Sequence, residues 1–422
     1  MMKAVIMAGG KGTRIASINA EVPKPMIGID GKPILQYQIE CLARQGITDI
    51  LLVIGYLGRI IEEYFCDGNA FEVQISYIWE ETPLGTAGAL YYLKNDITED
   101  FLLLNGDSVF DVDIGRFRKA HLKNGGLVTI LTHPNNHPYD SGVIIADENG
   151  VVTEWLTREE ERGWYKNRVN AGLHMISPKL LERFECLEKK DLDRDILKPL
   201  IAEHNLYIYD SPEYVKDMGT PDRYYSVTED IRSGRVESRN LLHRQKAIFL
   251  DRDGTINKYV GFLTNIDDFE LIDGVAEAIR RLNQSGYLVI VVTNQPVIAR
   301  GEVTVRELDL IHNKMETLLG NEGAYVDDIF YCPHHPDRGF SGERPEYKIE
   351  CSCRKPRPGM ILEAAKKYNI DIEKSWMVGD SINDIEAGKN AGCKTAYIGK
   401  EKKPGIPSYG SLFEFVEDIL QR

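Results

Sequence analysis

The sequence predicts an α/β protein of two domains, each built on a mostly parallel sheet flanked by helices. Three observations indicate this fold class. Strand and helix patterns alternate in both halves of the chain, which favours parallel strands joined by covering helices. Polar clusters directly follow several strands, at the strand ends where open sheets bind ligands. Finally, 422 residues exceed what one hydrophobic core usually supports.

Charge and composition exclude several classes of function. The net charge of −14 disfavours binding to nucleic acid or to an anionic membrane surface. No apolar run approaches the roughly 20 residues needed to cross a bilayer, and the first apolar run ends at Gly9, which is too early for a signal peptide. Seven cysteines, an odd number, do not suggest a disulfide framework. We therefore expect a cytoplasmic protein with no nucleic-acid or membrane partner.

The chain opens with a predicted strand, Ala4–Ala8, that runs into a glycine-rich turn over residues 9–14. Glycines let backbone N–H groups approach phosphate oxygens closely, because no Cβ stands in the way. Lys11 and Arg14 add positive charge for a polyphosphate. The pattern is neither the Walker motif nor the dinucleotide fingerprint. By itself it leaves open whether the turn binds phosphate or only reverses the chain.

The elements that follow continue the alternation. They are a helix over Ile34–Gln45, a strand over Ile50–Ile54 and a strand over Phe101–Leu104. Lys24 lies between two prolines, whose stiff extended backbone suits an ammonium held at a fixed place. Asp107 comes just after the third strand, so its carboxylate is expected at the carboxyl end of the sheet.

Residues 1–232 resemble a sugar-phosphate nucleotidyltransferase. Six pieces occur in that family's order: Ala8–Arg14, Pro23–Pro25, Pro83–Gly88, Asn105–Asp107, Asn170–Gly172 and Asp217–Pro221. The resemblance implies a Rossmann-like nucleotidyltransferase fold, in which the first loop binds a nucleoside triphosphate and two aspartates, Asp107 and Asp217, bind Mg²⁺. A sugar 1-phosphate oxygen then attacks the α-phosphorus and expels pyrophosphate.

The resemblance also assigns roles to single residues. Arg14 and Lys24 would offset phosphate charge, which is what nucleotidyl transfer chiefly requires. The predicted nucleotide-binding residues are Ala8, Gly9, Gly10, Gly12, Thr13, Gly85 and Thr86. The predicted sugar contacts are Gly142 and Asn170, although Asn170 could instead form a turn. Glu80 or Glu81 could accept hydrogen bonds from guanine, or either could simply be a solvated acid.

One segment departs from the family pattern. The family often carries a phosphate-binding lysine in a Phe-x-Glu-Lys segment, but residues 152–157 here read VTEWLT. Lys166 and Arg168 are the candidates to replace that lysine. Farther along, residues 233–245 are polar and basic, which is typical of a linker. The predicted domains are therefore residues 1–232 and 246–422, joined by a linker over 233–245.

The second half repeats the alternation of strand and helix. The predicted strands are Ala247–Leu250, Tyr287–Val292 and Ser375–Val378, and the predicted helices are Val275–Gln284 and Val303–Leu319. Asp251 and Asp253 follow the first strand, Thr293 the second and Asp380 the third, while Lys355 lies in a loop. A carboxylate nucleophile, a neighbouring acid and base, and a bound cation would together perform phosphoryl transfer.

This order and spacing resemble the haloacid dehalogenase superfamily over residues 245 to 400. The resemblance implies that Asp251 attacks a phosphate to form an aspartyl-phosphate, and that Asp253 protonates the leaving alcohol and then activates water. Thr293 and Lys355 would donate to the phosphate oxygens. The predicted ligands of Mg²⁺ in this half are Asp251, Asp253 and Asp380.

A metal-binding pattern lies inside this second half. Cys332 and His334 are separated by a long loop from Cys351 and Cys353. Three thiolates and one imidazole form a standard tetrahedral Zn²⁺ site, and four protein ligands leave no open position, so the site is predicted to be structural. His335 is an alternative ligand. Because Cys353 lies two residues before Lys355, the zinc would also position the phosphate-binding lysine.

This insertion resembles that of two related phosphatases, for histidinol phosphate and for heptose 1,7-bisphosphate. The long loop between the ligand pairs, residues 298–301 and residues 354–360 favour the heptose enzyme, whereas Pro296-Val297 replaces its usual Ser-Gly. The predicted substrate contacts are Asn294, Arg300 and Arg354.

The two resemblances together imply a bifunctional enzyme of nucleotide-activated heptose synthesis. It would remove the 7-phosphate of D-glycero-D-manno-heptose 1,7-bisphosphate, then transfer GMP from GTP to the 1-phosphate to give GDP-D-glycero-α-D-manno-heptose and pyrophosphate. Two alternatives remain. One is a mannose- or glucose-1-phosphate transferase fused to a histidinol-type phosphatase, and the other is a phosphatase with a non-catalytic sensor domain. The sequence leaves open whether the chain forms a homo-oligomer.

Overall fold

The computed structural model describes residues 2–10, 15, 17–19 and 21–421. Four residues of the glycine-rich turn, Lys11, Gly12, Thr13 and Arg14, lie outside this described part. The chain divides into two compact units, each made of three stretches. The first is Met1–His133, Ile144–Trp155 and Asn170–Asn240; the second is Pro134–Val143, Leu156–Val169 and Leu241–Arg422.

The sheets of the first unit are built from thirteen strands within the described residues. These strands are β1 Lys3–Met7, β2 Gly28–Ile29, β3 Lys32–Pro33, β4 Asp49–Ile54, β5 Gln74–Trp79, β6 Phe101–Asn105, β7 Ser108–Asp111, β8 Val128–His133, β9 Val143–Ala146, β10 Val152–Leu156, β11 Val169–Ile176, β12 Leu206–Asp210 and β13 Tyr214–Asp217. The helices are α1 Ile34–Arg44, α2 Gly58–Phe65, α3 Ile114–Asn124, α4 Pro199–Ala202, α5 Pro221–Arg232 and α6 Arg235–Ser238.

The main sheet of this unit is mixed. Its strand order is β10-β9-β11-β6-β1-β4-β5, and β8 pairs with both β11 and β12. Strands β6, β1, β4 and β5 are parallel, as the alternation predicts, whereas β11 runs antiparallel to β6. Neighbouring residues of β1 enter opposite cores, since Val5 and Ile6 are both fully buried on different faces. Burial on both faces is why the inner strands read as continuous apolar runs.

The second unit carries one parallel sheet. Its strands are β14 Lys246–Leu250, β15 Tyr287–Asn294, β16 Asp328–Cys332, β17 Trp376–Gly379, β18 Lys394–Ile398 and β19 Ser408–Tyr409, in the order β16-β15-β14-β17-β18-β19. Its helices are α7 Val275–Gln284, α8 Val305–Asn321, α9 Gly359–Lys367, α10 Ile382–Ala391 and α11 Leu412–Gln421. The order reverses direction at β14, which is the point where such sheets bind their ligands.

The second unit also includes two stretches that come earlier in the chain, residues 134–143 and 156–169. Within it, Arg168 is 1% exposed and forms an ion pair with Glu316 of α8, with 3.0 Å between Nη1 and Oε2. Arg168 Nη2 also donates to the Asp327 carbonyl at 2.9 Å. Because its guanidinium is committed to these buried partners, Arg168 is the wrong candidate for the missing phosphate-binding lysine.

The bounds of several elements differ from the predicted ones by one to three residues. The predicted helix Val303–Leu319 is α8, which begins after Thr304, where Thr304 and Glu307 form a capping box. The predicted linker contains helix α6, and the residues from Leu241 onward cluster with the second unit. No helix among the described residues is long and apolar enough to span a membrane.

Candidate active sites

In the first unit, strand pairing brings two predicted metal ligands together. β13 runs antiparallel to β7 with Asp217 opposite Ser108, and the Met218 N–H donates to the Asp107 carbonyl at 2.9 Å. Asp107 and Asp217 therefore meet at one end of this ribbon although they are distant in the chain. Mg²⁺ is usually held by one or two carboxylates together with substrate phosphates, and this pair fits that description.

Each of these carboxylates already has a basic partner. Lys24, a 9% exposed side chain, donates to Asp107 Oδ2, and its short helical turn is fixed by the flanking prolines. Arg223 binds Asp217 through two contacts of 2.7 and 2.9 Å. Burial raises the pKa of Asp217, but Arg223 and the Gly219 N–H outweigh it, so the net pKa lies below its usual value. Asp217 is therefore ionised and ready for a cation.

The end of β1 approaches a buried carboxylate. A Cβ on Gly9 would lie 2.3 Å from Glu80 Oε2, so a larger residue at this position would displace the Glu80 carboxylate. Glu80 Oε1 is buried and has no hydrogen-bond partner among the described residues. Burial raises the pKa of Glu80, with a smaller opposing effect from the Leu84 backbone. A buried acceptor without a donor is costly to leave unpaired, which points to a ligand donor at this place.

The predicted Pro83–Gly88 loop is held by a later segment, residues 188–192. Gly85 has a φ of +79°, and a Cβ there would lie 2.3 Å from the Lys190 carbonyl. Thr86 Oγ1 accepts from the Leu192 N–H at 2.7 Å and donates to Asp191 at 3.4 Å. The Thr86 side chain is thus occupied in fixing the loop, and Gly85 allows the close approach of the two backbones.

The predicted sugar contact Asn170 lies on β11 beside residues that sequence reasoning missed. Its Nδ2 donates to Asp193 Oδ1 at 3.4 Å, and its Oδ1 accepts from Gly172 N–H at 3.0 Å. Desolvation and the neighbouring Asp191 carboxylate raise the pKa of Asp193, and Lys198 partly offsets them. Lys198 Nζ lies 5.9 Å from the centre of the Trp155 ring. Trp155 belongs to the segment where a lysine was expected.

The other predicted sugar contact, Gly142, belongs to the second unit. It lies in the stretch Pro134–Val143. Its neighbour Val143 pairs with Val169 in the antiparallel contact between β9 and β11.

In the second unit, three aspartates form a cluster that can hold a cation. One carboxylate oxygen from each of Asp251, Asp380 and Asp384 lies within 4.8 Å of the other two. Asp251 follows β14 and Asp380 follows β17, as predicted, whereas Asp384 sits in the first turn of α10 and was missed. Three hard oxygen donors in this arrangement fit Mg²⁺. We call this group the three-aspartate cluster.

Lys355 neutralises part of this cluster. Its Nζ lies 2.6 Å from Asp251 Oδ1 and 2.6 Å from Asp384 Oδ1, and it donates to the Val292 carbonyl at 2.8 Å. Burial and Asp384 raise the pKa of Asp251 to about 7, and the same two causes raise the pKa of Asp380 to about 6. The lysine is thus the counter-charge of a site that still favours a further cation.

Asp253 is absent from the three-aspartate cluster. Its carboxylate accepts from Arg252 Nη2 at 2.9 and 3.0 Å, from Gln295 Nε2 at 2.9 Å and from Asn257 Nδ2 at 3.1 Å. These donors hold the Asp253 carboxylate apart from the three carboxylates of the cluster. The predicted role of the Asp253 side chain as a metal ligand therefore has no support from the arrangement, while its acid–base role remains a prediction.

Residues at the end of β15 organise the same site. Thr293 is 1% exposed and its Oγ1 accepts from Gln295 Nε2 at 2.9 Å. Asn294, predicted to contact substrate, instead exchanges two hydrogen bonds with the Lys355 backbone, each of 3.0 Å. The Asn294 amide thus fixes the loop that carries Lys355.

The four predicted zinc ligands cluster tightly. The thiols of Cys332, Cys351 and Cys353 lie 3.1 to 3.5 Å apart, and His334 Nδ1 lies 3.4 and 3.6 Å from two of them. These separations are close to those around a tetrahedral ion with Zn–S bonds of about 2.3 Å. Hydrogen bonds from Cys332 and its neighbours lower the pKa of Cys353, which favours the thiolate. His335 Nδ1 instead accepts from the Asp337 N–H.

The two predicted substrate arginines lie in loops of this unit. Arg300 is sandwiched between Phe262 and Phe340, with its guanidinium carbon 3.9 and 4.5 Å from the ring centres, and its buried Nε has no partner among the described residues. Arg354 Nη1 donates to the carbonyl of the predicted zinc ligand His334 at 3.1 Å. The loop that leads to Lys355 is thus tied to the Cys/His cluster through Cys351, Cys353 and Arg354.

Comparison with known proteins places the chain in two families. Residues 3–234 match the nucleotidyl transferase family, and residues 141–392 match the family of haloacid dehalogenase-like hydrolases. Each match covers more than half of the chain. The chain belongs to both families. The two matched ranges overlap over residues 141–234. We call the first unit the transferase domain, because it holds Asp107 and Asp217, and the second unit the hydrolase domain, because it holds Asp251.

Individual proteins with names more specific than the family descriptions are also similar to parts of the chain. The chain is 45% identical over 160 residues to D-glycero-beta-D-manno-heptose-1,7-bisphosphate 7-phosphatase of Pasteurella multocida, which covers 38% of this chain and 84% of that protein. The Escherichia coli K12 protein of the same name is 42% identical over 174 residues, covering 41% of this chain and 89% of that protein. Among solved structures, HddC from Yersinia pseudotuberculosis is 27% identical, with a TM-score of 0.49, and covers 55% of this chain and 100% of that one.

Proposed function

We propose that this chain performs two consecutive reactions of nucleotide-activated heptose synthesis. The hydrolase domain removes the 7-phosphate from D-glycero-D-manno-heptose 1,7-bisphosphate, and the transferase domain joins the remaining 1-phosphate to GMP from GTP. The observation that carries this proposal is the presence in one chain of two sites, each with its own acidic cluster and lysine, whose reactions share an intermediate. The curated relatives at 45% and 42% identity support the substrate of the first reaction.

In the hydrolase domain, Asp251 is the nucleophile. It lies where β14 ends, and Lys355 orients its Oδ1 at 2.6 Å. Lys355 and Thr293 donate to the phosphate oxygens, while Asp253 gives a proton to the leaving sugar oxygen and later takes one from water. Mg²⁺ held by the three-aspartate cluster would neutralise phosphate charge. Arg300 and Arg354 contact the sugar bisphosphate at its far end.

Zn²⁺ fits the cluster of Cys332, His334, Cys351 and Cys353 as a structural ion. The donor set is three sulfurs and one imidazole nitrogen, which is a set that Zn²⁺ prefers. All four positions are filled by protein, so no step of the reaction uses this ion. Its contribution is to hold the loop that ends at Lys355.

In the transferase domain, Lys24 and Arg14 offset the charge of the triphosphate, and the backbone of Ala8, Gly9, Gly10, Gly12 and Thr13 surrounds its phosphates. Asp107 and Asp217 would hold Mg²⁺, which would supply positive charge to offset that of the phosphates. The sugar 1-phosphate oxygen forms a bond to the α-phosphorus, and the bond to the β-phosphate oxygen breaks to release pyrophosphate.

The base preference rests on Glu80. Guanine presents a ring N–H and an amino group side by side, and a carboxylate accepts from both, whereas adenine offers no such pair of donors. The unpartnered Glu80 Oε1 next to Gly9 supports this role. GTP is therefore the proposed donor nucleotide, and Glu81, which is exposed, is the weaker candidate.

Lys198 is the proposed anchor of the sugar phosphate. It stands against Trp155 and partly offsets the rise in the pKa of Asp193 that burial and Asp191 cause; Asp193 contacts the predicted sugar ligand Asn170. An ammonium here replaces the cation that residues 152–157 lack. Asn170 and Asp193 would accept from and donate to sugar hydroxyl groups.

The test is an assay of the full chain with both reactions followed separately. Phosphate release is measured with heptose 1,7-bisphosphate, histidinol phosphate and fructose 1,6-bisphosphate, and pyrophosphate release with GTP, ATP, UTP and CTP against heptose, mannose and glucose 1-phosphates. Because the curated relatives are named for the β-anomer and the predicted product is an α-anomer, both heptose anomers are included. We expect the heptose and GTP combination to be fastest. Preference for histidinol phosphate, or no pyrophosphate release with any nucleotide, would reject the proposal.

A further inference from the structure

Arg252, which lies between the two predicted catalytic aspartates, is buried in an unusual way. Its side chain is 0% exposed although it lies in the turn that follows the inner strand β14 at its carboxyl end. Burying a guanidinium is costly unless its donors are matched by charged or polar acceptors. The backbone around it is equally constrained, because the Arg252 carbonyl accepts from the N–H groups of Thr255, Ile256 and Asn257.

The donors of Arg252 are matched on two sides. Nη2 donates to both oxygens of Asp253 at 2.9 and 3.0 Å, and Nε lies 3.3 Å from Oδ1. On the other side, Nη1 lies 3.2 Å from His312 Nε2 of α8. An arginine is always a donor, so His312 Nε2 must accept. Burial and the nearby Arg252 charge keep the pKa of His312 well below its usual value, in agreement with a neutral ring.

Two amides complete the arrangement around Asp253. Gln295 Nε2 donates to Oδ2 at 2.9 Å and Asn257 Nδ2 to Oδ1 at 3.1 Å, and both amides belong to buried side chains. The Asp253 side chain itself remains 19% exposed. Its carboxylate is thus held from behind while one part stays open to the site. Bidentate contact fixes both the position and the plane of a carboxylate, which a lysine could not do.

We infer that Arg252 is a positioning residue, held by His312, that orients the Asp253 carboxyl toward the leaving sugar oxygen and keeps it apart from the three-aspartate cluster. This inference rests on the proposed phosphatase function. Without the arginine, Asp253 would retain two amide contacts but lose the bidentate contact, and its carboxyl could turn toward the bound cation.

The step that depends on this placement is the first one. Asp251 Oδ forms a bond to phosphorus, the bond from phosphorus to the sugar oxygen breaks, and the proton of the Asp253 carboxyl passes to that oxygen. In the second step, water oxygen bonds to phosphorus, the Asp251 ester bond breaks, and Asp253 takes a proton from water. A misplaced Asp253 therefore slows the departure of a poor leaving group far more than that of a good one.

The test compares leaving groups in the full-length enzyme with Mg²⁺. Arg252→Lys and Arg252→Met are assayed on heptose 1,7-bisphosphate, on a simple hexose 6-phosphate and on p-nitrophenyl phosphate, whose phenolate leaves without a proton. Nitrophenolate release in the first turnover isolates the first step. We expect kcat on both sugar phosphates to fall about 30- to 100-fold with KM within about threefold, and first-turnover nitrophenolate release to change less than about threefold.

Controls separate placement from folding. Arg306→Met changes an exposed arginine on the same helix as His312 and should leave all rates unchanged. Arg252→Lys keeps charge and most of the volume, so it decides the matter if Arg252→Met has a lowered melting temperature. Equal losses on sugar and aryl phosphates, or no loss on either, would overturn the inference. Failure of the wild type on every heptose substrate would reject the proposed function alone, because the hexose phosphate still reports on Arg252.

Discussion

Asp384→Asn distinguishes a metal ligand from a helix cap. Asp384 Oδ2 accepts from the Ser381 N–H at 3.0 Å and from its hydroxyl at 2.6 Å, which is a capping box of α10. Asp384 Oδ1 faces Lys355 and the other carboxylates of the cluster. Asparagine keeps the shape and one oxygen for the cap but removes the charge. A purely structural role and a metal-binding role therefore predict different results.

The charges of the cluster give the expected magnitude. At an effective dielectric of about 20, the pair of Asp384 and Lys355 at 2.6 Å is worth about 6 kcal/mol of attraction. Each repulsion between Asp384 and another ionised carboxylate, taken at the 4.8 Å upper limit of the cluster, costs about 3.5 kcal/mol, and there are two. The attraction to Lys355 that is lost and the repulsion between carboxylates that is relieved nearly cancel. The metal-free variant should therefore unfold within about 1 kcal/mol of the wild type, at a pH near 8 where Asp251 and Asp380 are ionised.

The metal-bound enzyme should respond very differently. Removing a ligand charge is expected to weaken Mg²⁺ binding at least 100-fold. Loss of a group that only hydrogen-bonds to a metal ligand already lowers metal affinity by roughly 10- to 100-fold. With Mg²⁺ at 100 times the wild-type Kd, the stabilisation by metal falls from about 2.7 to about 0.4 kcal/mol. The measurements are denaturant unfolding with and without Mg²⁺, calorimetric Mg²⁺ titration, and phosphate release at several Mg²⁺ concentrations.

Glu386→Gln is the matched control, because it neutralises an exposed acid on the same helix. It should leave both stability and Mg²⁺ affinity unchanged. If Asp384→Asn instead lost more than about 3 kcal/mol without metal while keeping wild-type Mg²⁺ affinity, Asp384 would be a cap and a partner of Lys355 only, and the three-aspartate cluster would not be the metal site.

Three further predictions address the other sites. Asp107→Asn should abolish pyrophosphate release while leaving phosphatase activity within about twofold, since the two acidic sites belong to separate units; loss of both activities would contradict this. Cys351→Ser, or treatment with a zinc chelator, should lower the bound zinc measured by atomic absorption and reduce kcat of the phosphatase because the Lys355 loop loosens, whereas Cys66→Ser, at an exposed cysteine, should do neither. Lys198→Ala should raise the KM for heptose 1-phosphate about 10- to 100-fold with the KM for GTP unchanged, as expected for one lost charge-assisted contact; Lys198→Arg should recover most of the loss, and an equal rise in both KM values would place Lys198 outside the sugar site.

The parts of the fold that follow from local pattern were predicted correctly. The buried strands β1, β4, β6, β14 and β15 read as apolar runs, and the carboxylates that follow β6, β14 and β17 lie where those strands end. The four predicted zinc ligands were recognised from their spacing alone, and the structure brings them together in a cluster that could hold a metal ion. Strands β8 to β12 were missed, including the antiparallel pairing of β11 with β6 and with β9. Their pairing joins residues far apart in sequence, and the pattern of one strand does not show its partner.

Asp384 and Lys198 were missed because each has an ordinary explanation in its local sequence. Ser381 and Asp384 form a capping box, which explains an aspartate at that position without any metal. Its second role depends on Asp251, more than a hundred positions earlier, and on the β14–β17 pairing that unites them. Lys198 is the residue just before the short helix α4, and the sequence around it does not mark it as a functional residue. In this case a local signal existed, since the absence of a lysine in residues 152–157 required a replacement, but only the fold shows that Trp155 meets Lys198.

The two sites place a lysine beside a carboxylate in the same way. In each, a buried lysine forms an ion pair with the carboxylate at the end of a central strand: Lys24 with Asp107, and Lys355 with Asp251. Phosphate substrates bring negative charge that a bare carboxylate would repel, and the lysine supplies charge that can be shared between protein and substrate. The difference lies in the second carboxylate. Asp217 lies on another strand beside Asp107 and is paired with Arg223, and in the proposed transfer the substrate's own oxygen is the nucleophile. In the proposed hydrolase reaction, Asp253, held by Arg252, is the proton donor that a sugar leaving group requires.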